Sequence, residues 1–172
     1  MKSRIIKAAM YAVVLFVVAG AGVSAIFPAI FSTQAEQGEA SPRATQPIII
    51  RKANGTGIAF HVELAVTEEQ QAQGLMNRPT MQKDHGMLFL FDDVSVRSFW
   101  MRNTLIPLDL LFLDAAGQIT HIHNEAQPLD ETLIPSNGKA LAVLEINGGL
   151  AETYGISVGT LLQHPIFSNG PT

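Results

Sequence analysis

Residues 86–91 read GMLFLF, a run with no polar side chain on either face of an extended chain. Such a run marks a strand buried between layers rather than one with a wet side. A chain that contains it has to supply cover for both faces. Its other segments supply that cover mostly as further strands.

IIIRK and GIAFHVELAV, residues 48–52 and 57–66, are β-branched or alternating runs around ANGTG, the signature of a hairpin. The pattern then changes. Thr67 followed by Gln70 has capping-box spacing, Glu68 and Glu69 suit the positive end of a helix, and Gly74 can end it, so a short helix is expected over 68–73. VRSFWMR and LDLLFLD follow as two more strands, and DAAG at 114–117 is a turn before QITHIHN. Residues 136–138 read as another turn before KALAVLEIN. GGLAETYG reads as one or two helical turns closed by Gly155, and GTLLQH is the last strand. Seven or eight short strands with two minor helices, and no regular alternation of strand with long helix, point to a compact β-sandwich or closed barrel.

The N-terminus has a different character. Lys2, Arg4 and Lys7 precede an uncharged stretch that ends only at Glu36, and its apolar part, residues 8–31, reads as an export signal. Its length serves either a cleaved signal peptide, with small residues at VSA and TQA, or a retained membrane anchor. Either way the basic flank stays in the cytoplasm, and the remainder is expected in the periplasm or tethered to the outer side of the inner membrane. Residues 32–46, rich in Ser, Thr, Gln, Ala and Pro, read as a flexible tether, leaving a domain over 47–168.

Loss of the signal would lower Lys+Arg from 11 to 8 against 15 acidic residues, a charge near −7. That excess argues against nucleic acid or an anionic lipid surface as a partner. The membrane enters only through the N-terminal segment, if it is retained. The chain has no cysteine, so packing alone must hold the domain together.

The run SFWMRNTLIPLDLLFLD, residues 98–114, interrupts apolar sequence with polar groups. Alternation sends Phe99 and Met101 to the core and leaves Trp100 beside Ser98 and Arg102, its ring open to Arg102 or to a ligand. Asn103, Thr104 and Pro107 make a corner between strands. Asp109 then enters a very apolar strand, where it needs donors; the Asn103 or Thr104 amides and Arg102 are the nearest in sequence. Arg78, just before Pro79, is placed either to clamp Asp109 or another acid, or to bind an anionic ligand. These features single out Arg78, Trp100, Arg102, Asn103, Thr104 and Asp109 as candidate ligand-binding residues.

GLMNR at 74–78, GMLFLF, the 98–114 run and GQITHIH at 117–123 together resemble the uncharacterised bacterial and archaeal DUF192 family, over about residues 48–165. The FWM-x-NT-x-x-PLD core carries most of that resemblance. It implies a compact, all-β, jelly-roll-like fold and brings no established activity.

Three family-like segments each hold a methionine, Met76, Met87 and Met101; with an indole and the His121/His123 pair these are soft ligands that would suit Cu(I). Methionine also fills irregular cores, and two histidines on one strand face are only a partial ligand set. His61, His85 and His164 lie too far apart in sequence to join them. The chain has no G-x-S-x-G elbow, Walker loop or H-E-x-x-H, and Asp92 and Asp93 diverge as neighbours on an extended chain. The expected function is therefore a non-enzymatic binding module without a cofactor. It would take a small molecule, peptide or envelope protein at a groove near the FWMRNT-PLD corner, with soft-metal binding as the alternative.

Overall fold

A computed structural model describes residues 44–167. The expected signal or anchor, and nearly all of the expected tether, lie outside the described residues. Among the described residues no helix is long and apolar enough to cross a membrane.

The domain is mainly β, with two short helices. β1 (Thr45–Arg51) and β2 (Gly57–Ala65) form the expected antiparallel hairpin, with Thr45 opposite Glu63 and Arg51 opposite Gly57. Its turn is made by the Asn54 side chain, which accepts from the Thr56 amide at 3.0 Å, and by Gly55 at φ 85°, a conformation natural to glycine. α1 (Glu68–Gln73) starts at Thr67 with the full capping box and stops at Gly74. Gln71 docks the helix on the sheet by donating from Nε2 to the Leu90 carbonyl at 2.7 Å.

The chain then enters β3 (His85–Phe99), which runs parallel to β2, so β2, α1 and β3 form a crossover unit within an otherwise antiparallel sheet. β4 (Leu108–Leu113), β5 (Ile119–Ala126), β6 (Ile134–Asn147), α2 (Leu150–Tyr154) and β7 (Leu161–Gln163) follow. All seven strands belong to one sheet, in the order β5-β4-β6-β3-β2-β1-β7. The sheet curls into a half-barrel until its ends meet: Gln118, just ahead of β5, bridges to Leu161 of β7, and the Leu162 amide donates to the Gly117 carbonyl at 2.8 Å.

Two places differ from the sequence expectation. VRSFWMR is not a strand of its own; its first four residues end the 15-residue β3, and the chain leaves the sheet at Trp100. Residues 136–138 do not separate two elements either; they form a bulge inside β6. Both strands break register together. Leu90 faces Ala142 but Ser95 faces Ala140, so β3 loops out residues 91–94; Val96 faces Lys139 but Ser98 faces Pro135, so β6 loops out residues 136–138. Ser136 repairs the interrupted ladder, its hydroxyl accepting from the Arg97 amide at 2.9 Å and donating to the Gly138 carbonyl at 2.5 Å.

The two faces of the sheet carry separate cores. One contains Ile50, Phe60, Leu88, Leu111, Leu144 and Leu162, with residues from every strand and from α2, and is the inside of the curl. The other lies on β3, β4 and β6, where Met87, Phe89, Leu110, Phe112 and Val143 are covered by Leu75 after α1 and by Met101 and Ile106 of the corner. GMLFLF thus serves both cores, Leu88 and Leu90 on one side and Met87 and Phe89 on the other, which is why neither face could be polar.

Candidate functional site

The corner after β3 is held by its own backbone. The Met101 amide donates to the Asp130 carbonyl at 2.7 Å, the Thr104 amide to the Met101 carbonyl at 3.0 Å, and the Leu129 amide to the Thr104 carbonyl at 3.1 Å. Asn103 adopts φ 54°, a left-handed conformation that asparagine tolerates, and its carbonyl accepts from the Asn77 amide at 2.8 Å. This last bond ties the corner to the segment after α1. Met101 is fully buried, while Trp100 remains 40 % exposed with the Arg102 guanidinium 4.0 Å from its ring centroid. Arg102 also pairs with Glu131 at 2.8 Å on the surface.

Asp109 is completely buried, but its donors are not those nearest in sequence. Its Oδ1 accepts from the amides of Glu125 at 2.8 Å and Gly149 at 3.0 Å, and its Oδ2 from the amide of Ala151 at 2.8 Å. It therefore fastens the β5 bulge, where Glu125 sits at φ 49°, and the first turn of α2 to β4. The reason is alternation: Asp109 lies opposite Ile146, whose side chain belongs to the inner core, whereas the corner packs on the outer one. Arg78 does not reach Asp109 either. It makes a bidentate pair with the buried Glu63 of β2, one arm at 2.7 Å, and that carboxylate raises the Arg78 pKa above its ordinary value.

Between α1, the upper part of β3 and the corner lies a cavity of about 420 Å³, the size of a small-ligand pocket. Phe89, Phe91, Phe99 and Trp100 give it aromatic walls, and Gly74 and Met76 close it from the α1 side. Its polar floor is Glu145. This residue of β6 stands on the outer face between Met87 and Leu110, its register neighbours on β3 and β4. It is 5 % exposed, and no hydrogen bond from the described residues satisfies its carboxyl. Burial pushes its pKa up to about 8, so the group is mostly a neutral acid at pH 7. Arg97 stands at the rim, its guanidinium 4.0 Å from the Phe91 ring centroid and paired with Asp93 at 2.7 Å, so its charge is already balanced. Its Nε is buried with no hydrogen-bond partner among the described residues.

Of the residues singled out from sequence, Trp100 and Thr104 line this cavity, and Asn103 touches it through Met76, its amide 3.9 Å from the sulfur. Arg102 backs Trp100 from outside, while Arg78 and Asp109 hold structure elsewhere. Met87 and Met101 are enclosed in the outer core. His121 and His123 do share a face of β5, opposite Phe112 and Leu110; His121 stacks on Phe112, and burial, then the neighbouring His123, lowers its pKa. Glu145 was missed in sequence although KALAVLEIN holds a sign of it, one carboxylate in a run otherwise apolar between its end residues Lys139 and Asn147.

The comparisons with known proteins agree with this architecture. A protein from Sinorhizobium meliloti 1021, provisionally described as a transcription regulator, is 41% identical, with a TM-score of 0.70 over 73% of this chain and 97% of that one. A protein of unknown function from Novosphingobium aromaticivorans DSM 12444 is 40% identical, with a TM-score of 0.70 over 74% and 90%. No curated protein matches the chain. The family model DUF192, described as "Uncharacterized ACR", matches residues 49–164, and the chain belongs to that family.

Proposed function

We propose that the domain is a non-enzymatic binding module that takes a small organic molecule into the cavity beneath Trp100, with Glu145 as its polar anchor. A buried carboxyl with no hydrogen-bond partner among the described residues, facing an aromatic-walled cavity, carries this reading. Such a group lacks the hydrogen bonds that a buried polar group ordinarily has, and a ligand can supply them. The complementary ligand has an apolar body and a basic head: an ammonium group, already charged near pH 7, pairs with the Glu145 carboxylate once that acid has released its proton to solvent, and sits among rings that favour a cation. We place the domain outside the cytoplasm, reached through the N-terminal signal or anchor. The net acidic charge again speaks against nucleic acid as the partner.

The chain has one tryptophan, so its emission reports on the cavity mouth directly. Benzylamine, benzyl alcohol and benzoate, which share a body and differ in head group, are titrated against the full-length protein and against Glu145→Gln. The amine should bind best and lose at least about tenfold in affinity in the variant, since the lost partner is charged and buried. Equal binding of all three probes, or an unchanged affinity in Glu145→Gln, overturns the proposal.

A further inference from the structure

The parallel pairing of β2 with β3 brings together three side chains that lie far apart in the chain and outside the cavity. His61 and His85 are direct cross-strand partners, and Asp84 precedes β3. Asp84 Oδ1 lies 2.9 Å from His85 Nδ1, and Asp84 Oδ2 lies 3.7 Å from His61 Nδ1. The two imidazole rings are 5.6 Å apart between centroids. One ligand atom from each residue falls within 4.8 Å of the other two, an arrangement met by no other His, Asp and Glu set among the described residues.

We propose that His61, Asp84 and His85 form a binding site for a divalent transition ion of the zinc class. Two imidazole nitrogens and a carboxylate oxygen are the borderline-to-hard donors that zinc takes, usually at about 2.0 to 2.2 Å. Donors of a tetrahedral site with those bond lengths stand roughly 3.4 Å apart. The two carboxylate oxygens of Asp84 stand 2.9 Å from His85 Nδ1 and 3.7 Å from His61 Nδ1, either side of that figure, and one ligand atom from each residue already falls within 4.8 Å of the others, so side-chain rotation alone can gather them around an ion. Nothing has to be folded first. The His61 amide donates to the Asp84 carbonyl at 2.8 Å and the His85 amide to the Gln82 carbonyl at 3.0 Å, which ties the turn that carries Asp84 to the paired strands that carry the two histidines. All three side chains retain solvent exposure, 49 % for His61 and 58 % for Asp84, so an ion has a route in and water can complete its coordination. These are not the thioethers and histidines expected from sequence. The donors here suit a divalent ion, where methionine sulfur would suit Cu(I).

Zinc uptake by the untagged full-length protein, followed by calorimetry and by the visible absorbance of cobalt substituted for zinc, tests the site. The expected result is one ion per chain with the absorbance of a four-coordinate cobalt centre. His61→Ala, Asp84→Asn and His85→Ala should each weaken binding by at least about tenfold, since even loss of an outer partner of a ligand costs about that much. His121→Ala with His123→Ala should leave the affinity unchanged. Equal zinc uptake by the wild type and Asp84→Asn, which preserves shape and removes only charge, overturns the proposal. Loss of uptake in the His121/His123 variant overturns it too, by moving the ion to β5.

Discussion

Glu145 makes the stability of this domain depend on pH in a direction opposite to that of an ordinary paired carboxylate. In the unfolded chain it titrates near the ordinary glutamate value of 4.5, whereas in the folded protein burial pushes its pKa up to about 8. Between those values the folded state keeps a proton that the unfolded state has released. Stability therefore falls as pH rises, by about 1.4 kcal/mol for each pH unit. Below pH 4.5 both states are protonated and the penalty vanishes; above about pH 8 both are ionised and it is at its full value. From about pH 5 to about pH 7 the expected loss is on the order of 2 to 3 kcal/mol, a large share of a typical domain's net stability. Glu145→Gln keeps the shape and abolishes the titration. Urea unfolding of both proteins, read by far-UV circular dichroism across this range, isolates the effect, because every other titrating group is common to the two. The variant should gain on the wild type steadily with pH. A difference that stays flat, or that grows toward acid, would refute the assignment of Glu145 as an unpartnered buried acid.

Other substitutions probe contacts elsewhere in the domain. Asp109→Ala strands the amides of Glu125, Gly149 and Ala151 and should cost about 4 kcal/mol in urea unfolding, at roughly 1 to 2 kcal/mol for each buried donor. Arg78→Met leaves Glu63 buried without its bidentate partner; a loss of about 2 kcal/mol is expected, below the range for a fully buried pair because Arg78 is 31 % exposed, and Glu63→Gln should recover part of it. Gly86→Ala brings a methyl group within 2.5 Å of the Glu145 carbonyl oxygen, a backbone atom that cannot swing aside, and should lower stability by about 2 kcal/mol through strain between β3 and β6. Arg102→Ala removes only a surface pair and the cover on Trp100, so the unfolding midpoint should stay in place while the emission of Trp100 changes.

The elements legible in the sequence are those whose signals are local. The hairpin around Asn54 and Gly55, the Thr67–Gln70 capping box and the Gly155 stop all form within a few residues and were readable without tertiary information. The need for cover on both faces of GMLFLF was readable as well. What escaped notice depends on pairing between distant segments. Residues 136–138 have the composition of a turn, yet β3 bends opposite them and absorbs them as a bulge. Nothing in the chain near Asp109 announces that its donors come from 125, 149 and 151. His61 and His85 looked scattered because the parallel register that joins them is set by a crossover through α1. At the candidate site, Trp100 and Thr104 were legible as polar breaks in an apolar run, whereas Glu145 passed as one more residue of a strand.

The bridge between Gln118 and Leu161 bears on how such a chain stays dispersed. A sheet of seven strands normally ends in two rows of unpaired amides and carbonyls, which are templates for adding a strand from another molecule. Here one terminal strand, β7, has only three residues, and the start of the other is drawn against it by the Ile119–Thr160 and Leu162–Gly117 hydrogen bonds. The curl thus covers β7 and the first residue of β5 and shortens the rim open to another strand. Cutting that seam, for instance with Leu162→Pro, should expose both rims and raise the tendency toward fibrillar assembly, read by thioflavin T fluorescence.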